Sequence, residues 1–154
     1  MLFTIILCSC GKTTVTPQLT NIGFNADICY YNENYKGECT VSPDGTVKIT
    51  LSEPETLSGY TVTVGKEGMK AEYLGLSFTP TENNMPQSSV ITEFYNKYTA
   101  AATATPQKSG DAYVIKGGSG TDGYTLYISP TGLPQSLQIP DERFIVYFYN
   151  TSLL

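Results

Sequence analysis

Apolar and polar residues alternate with a period of two along most of the chain, the pattern of strands with one buried face. Over 21–32, Ile22, Phe24, Ala26, Ile28 and Tyr30 alternate with Gly23, Asn25, Asp27, Cys29 and Tyr31. Residues 33–35 read as a turn and 36–42 as the returning strand. Pro43-Asp44-Gly45 makes a second turn, and 46–52 sets Val47, Ile49 and Leu51 on one face. The stretch 51–78 holds the clearest hairpin. Tyr60, Val62 and Val64 alternate with Thr61 and Thr63, Gly65-Lys66-Glu67-Gly68 turns the chain, and Met69, Ala71, Tyr73, Leu74, Leu76 and Phe78 carry it back. These segments predict a five-strand meander, with the 51–78 hairpin in mid-sheet.

The period changes over 88–104, where Val90, Ile91, Phe94, Tyr95 and Tyr98 form a helical stripe. Ser88 or Ser89 is the expected N-cap, and Glu93 lies in the early turns that favour a carboxylate. Period two then returns over 112–116, 124–129, 135–139 and 143–150. The glycine-rich segment 117–123 lacks the Gly-Lys-Ser/Thr end of a phosphate loop and no helix follows it, so it is read as a flexible hairpin tip. The predicted architecture is mainly β with one helix (α+β), about nine strands in one domain over 21–154.

Composition narrows the function. The net charge is −5 and the nine basic residues are scattered singly, so a nucleic-acid surface is not expected. No His is present, which removes the commonest general base and metal ligand. No Ser stands in a nucleophile-elbow context, and Asp122 is a lone carboxylate with no partner nearby in sequence. No enzymatic activity, metal or cofactor is expected. The twelve Tyr residues, with many Thr and Gly, suit a β-rich extracytoplasmic protein.

The N-terminal segment MLFTIIL is apolar and runs into Cys8-Ser9-Cys10-Gly11. Leu7-Cys8-Ser9-Cys10 resembles a bacterial lipobox. That resemblance implies that residues 1–9 are a signal peptide, here short of its basic n-region, and that Cys10 is diacylated and anchors the protein to the cell membrane. Residues 10–20 would then be the lipidated Cys and a flexible tether outside the fold. With the turn at 33–35, Cys29 and Cys39 face one another across a hairpin. They are read either as a short-loop disulfide or as two free, partly buried thiols.

Three segments together, 51–78, the helix after it, and the ending with Thr131-Gly132-Leu133-Pro134 before RFIVYFYN, resemble the LolA/LppX/RseB-like superfamily of lipoprotein-related domains. The chain is especially similar to short secreted lipoproteins of Firmicutes with that fold. The resemblance implies a curved antiparallel sheet, an unclosed half-barrel with the helix on its concave face. It also implies binding or sensing of a lipid, another apolar ligand or an envelope component there, or a regulatory, protein-binding role without a small ligand. The expected lining is Phe24, Ile28, Ile49, Leu51, Tyr73, Phe94 and Tyr98, with ordinary core packing as the alternative for each, and any ligand site is expected beside the helix.

Overall fold

The computed structural model describes residues 15–79 and 86–154. Cys10 and the apolar N-terminal run lie outside the described residues. Eleven strands form one antiparallel, unclosed sheet. They are β1 (Ile22–Tyr30), β2 (Glu33–Val41), β3 (Val47–Glu53), β4 (Thr61–Gly65), β5 (Gly68–Tyr73), β6 (Leu76–Phe78), β7 (Gln107–Ser109), β8 (Ala112–Gly117), β9 (Tyr124–Ile128), β10 (Pro134–Ile139) and β11 (Phe144–Leu153). A single α-helix among the described residues, α1 (Pro86–Ala101), stands between β6 and β7.

The strand order is β6-β5-β4-β3-β2-β1-β11-β10-β9-β8-β7. The first and last strands therefore pair at the middle of the sheet, in register from Ile22 opposite Leu153 to Tyr30 opposite Phe144. From β1 the chain meanders outward to one edge at β6, and from the other edge at β7 it meanders back inward. The segment containing α1 has to carry the chain between the two edges, which takes the helix across a face of the sheet. The contacts of α1 reach β4 on one side and β8 and β9 on the other.

Alternation decides which face that is. Ile22, Phe24, Ala26 and Ile28 of β1 are buried, and so are Val47, Ile49 and Leu51 of β3 and Phe144, Val146 and Phe148 of β11. They form one core with Val90, Ile91, Phe94, Tyr98 and Ala101 of α1. Four rings lock the helix to the central strands: Phe24 and Phe148 meet edge to face at 4.7 Å between centroids, and Phe94 and Tyr98 each lie 6.0 Å from Phe148. The helix begins at Pro86, a residue suited to the first helical turn because its missing N–H would be unbonded there anyway.

Several expectations are corrected. The 51–78 hairpin is not mid-sheet: β4 and β5 stand third and second from an edge, and the returning strand breaks at Leu74 and Gly75 to leave the short β6. Leu74 and Gly75 both take positive φ there, 49° and 80°. The β1–β2 turn is Tyr31-Asn32, not 33–35, so Cys29 pairs with Asn34 and Cys39 with Phe24. Cys39 is thus opposite a position five residues along β1, roughly 17 Å away. It points into the core, while Cys29 belongs to the outward set, and both are free. No disulfide can join them.

The tether is corrected as well. Residues 15–20 belong to the fold: Leu19 is 4% exposed, Val15 packs against the core, and the Gln18 N–H donates to the Gly132 carbonyl at 2.8 Å. Gly132 permits this approach. Its φ is +91°, and a Cβ there would come within 2.4 Å of the Thr16 carbonyl oxygen.

Candidate functional site

Of the seven predicted lining residues, six converge beneath the helix. Phe24, Ile28, Ile49, Leu51, Phe94 and Tyr98 are each at most 3% exposed and share one core. Tyr73 stays at the margin, where its hydroxyl donates to the Thr56 carbonyl at 2.7 Å and its ring meets Tyr60. The convergence leaves almost no room. The gap between Ile28, Tyr35, Leu51, Val90 and Ile91 measures about 10 Å³, space for one water at most. Along this part of the helix, facing side chains fill the sheet–helix space.

The packing runs out at the C-terminal end of the helix. There a cavity of about 240 Å³ opens among Leu19, Val41, Pro43, Tyr95, Tyr98 and Ala102, with exposed Asp44 and Lys66 also lining it. Its walls come from the docked N-terminal segment, the β2–β3 turn and the last turns of α1. The helix ends at Ala101 with small residues after it, so no large side chain reaches over Leu19 and Val41. A larger groove of about 560 Å³ follows the β4–β5 turn, where Asp44, Thr46, Thr63, Lys66, Glu67 and Lys70 make about half of its lining polar.

Tyr98 links the filled and open regions. It lines the cavity, its ring packs on Phe94 and Phe24, and its hydroxyl is buried without a hydrogen-bond partner among the described residues. Burial raises its pKa well above the ordinary tyrosine value. Burial also pushes the Cys39 thiol up, so Cys39 is held neutral and unreactive.

A polar cluster on another side of the helix was not legible in the sequence. Lys97 is 7% exposed, its Nζ lies 3.2 Å from Glu93 one turn earlier, and it also pairs with Asp122. Burial lowers its pKa, but the two carboxylates outweigh that and the net shift is upward. Asp122 sits in a short 3-10 turn, Gly120–Asp122, inside the segment expected to be a flexible tip. That segment is clasped to the helix. The spacing of Glu93 and Lys97 was a signal for an ion pair, but the third partner depends on tertiary contact. Among the described residues no group of His, Cys, Asp and Glu could hold a metal ion, and no helix is long and apolar enough to cross a membrane.

No family model and no curated protein matches the sequence. Solved structures are similar to this chain over most of its length. An uncharacterised conserved protein from Thermus thermophilus is 11% identical, with 89% of this chain and 80% of that chain covered at a TM-score of 0.55. A LolA superfamily protein from Nitrosomonas europaea is 10% identical, with 91% and 89% covered at 0.48. A DUF1329 family protein from Desulfovibrio piger is 10% identical, with 87% and 86% covered at 0.41. The likeness to the Thermus thermophilus protein, at 11% identity, is one of fold alone.

Proposed function

We propose that this protein is a membrane-anchored extracytoplasmic lipoprotein whose half-barrel senses or transiently holds a small apolar ligand, or the end of an acyl chain, in the cavity at the end of α1. The cavity carries the reading: it is the place where the sheet–helix packing leaves apolar walls uncovered. At about 240 Å³ it falls below the usual ~300–1,000 Å³ of pockets that enclose a drug-sized ligand, so a whole lipid does not fit. Burying a six-carbon segment supplies about 5 kcal/mol, a submillimolar affinity before entropic costs are paid. Exchange, not tight carriage, suits those magnitudes.

The sheet is taken as curling around the helix. β4 and β8 both touch α1, yet they are seven steps apart in strand order, roughly 33 Å if the sheet were flat. The anchor is the diacylglyceryl group on Cys10. The reading assigns no catalytic residue, metal or cofactor.

The test uses residues 11–154 and the fluorescent fatty acid cis-parinaric acid. Saturable binding that Ala102→Trp abolishes by filling the cavity, with acyl chains found by mass spectrometry in extracts of the purified protein, is the expected result. No binding by the parent domain would sink the ligand reading. It would leave the second reading, a protein-interaction module of RseB-like character, which the tightly filled space under most of the helix favours. Cys10→Ser should release the protein from membranes; unchanged retention refutes the anchor.

A further inference from the structure

Strand directions sort the molecule into two ends. At one lie the β2–β3, β4–β5 and β9–β10 turns, the C-terminal end of α1, the docked segment 15–21, and the end of β11. The cavity at the end of α1 is at this end. At the other lie the β1–β2 turn, the β5–β6 turn and the β10–β11 connection. We propose that the end carrying residues 15–21, Leu153 and Leu154 rests on the phospholipid bilayer, so that the cavity faces the membrane's acyl chains. The proposal rests on the anchoring reading above and adds the orientation and the contact surface.

Tether length is the first support. The described part of the docked segment begins at Val15, five residue steps from Cys10, a reach of at most about 18 Å. The ten residues of β11 alone run about 34 Å. Gly132 and Gln18 hold the start of the tether at the near end, so that end stays close to the surface whatever the tether does. The second support is apolar exposure beside the tether. Leu153 and Leu154 are 63% and 64% exposed, and Asn21 holds Leu154 in place through its backbone carbonyl and its side-chain amide, each at 2.9 Å. The third is charge. At the far end Lys36 and Arg143 offset only part of Glu33, Glu53, Glu55 and Asp141, and an anionic membrane surface repels the excess. At the near end, Lys66 and Lys108 largely offset Asp44, Glu67 and Asp111.

The rival contact is at the far end, where Leu74 and Leu76 are 83% and 70% exposed. The chain has no Trp, so one introduced Trp reports its own position. The test takes the full chain, made in a bacterial host that acylates lipoproteins, as Leu153→Trp and Leu74→Trp. Both go into vesicles of phosphatidylcholine and phosphatidylglycerol whose acyl chains are brominated. Both sites are exposed, and circular dichroism checks that each variant keeps its strands. The expected result is fluorescence quenched about twofold or more at position 153 and nearly unchanged at 74, as for an interfacial Trp against a solvated one. Equal quenching, or stronger quenching at 74, overturns the orientation and makes the Leu74–Leu76 turn the contact. Quenching at neither site, with acylated Cys10 confirmed by mass spectrometry of the N-terminal peptide, overturns the bilayer contact while the anchor stands. An unacylated Cys10 overturns both.

Discussion

The two halves of α1 meet the same sheet and end up in opposite states. Over Val90 and Ile91 the facing residues are Ile28, Tyr35 and Leu51, and the gap is about 10 Å³. One or two turns later the helix still points Tyr98 at the sheet, but small residues follow it and Leu19 and Val41 face a cavity of about 240 Å³. The difference lies in side-chain volume at the last turn, not in hydrophobic pattern, since both stretches are apolar. A fold that fills its face with one helix leaves apolar space where that helix stops.

The largest effect should come from breaking the filled half. Phe94→Ala removes a side chain that is 1% exposed and touches Tyr98 and Phe148. It should cost about 3–5 kcal/mol in urea unfolding. A loss below about 1 kcal/mol would mean that the filled region collapses as freely as an open one, and the contrast would disappear.

A middle-sized effect is expected where α1 clasps the glycine-rich loop. Lys97→Met keeps most of the buried stem and removes the charge shared by Glu93 and Asp122. Glu93 is left partly buried without its cation, so about 1–3 kcal/mol should be lost. Amide exchange should quicken selectively over 117–123. Unchanged exchange there would show that the loop is held by its backbone, not by Lys97.

The smallest effect sharpens the boundary between the halves. Tyr98→Phe deletes a buried hydroxyl that has no partner among the described residues. Thermal melting should show no loss, or a gain of up to about 1 kcal/mol. Destabilisation beyond that would reveal a partner for the hydroxyl, such as a water held at the cavity.

Much of the fold was legible because alternation is a local signal. The core faces of β1, β3, β4 and β11 can be read from single residues such as Phe24, Ile49, Val62 and Val146, and α1 from its stripe. Leu76 and Phe78 of β6 were read as the end of the returning strand because the turn at Leu74 and Gly75 that separates them was not seen, and β7 was missed because Gln107–Ser109 has no apolar member. The cysteine pairing failed for a related reason. A turn placed two residues late shifts the register, and every cross-strand partner changes with it.

The sequence by itself determined the fold class of the protein: a chain of half-buried strands with one amphipathic helix. Local patterning suffices for that, because strand faces, helix stripes and turns depend on neighbours within a few residues. Only the tertiary structure decided that β1 and β11 meet at the centre, that Asp122 reaches Lys97, and that Gly132 receives the segment leading from Cys10. It also decided that most of the predicted lining is a filled core and that, of those residues, Tyr98 alone borders the space at the end of the helix. Those outcomes depend on how volumes from distant strands add up across a shared face, and no local pattern records that sum.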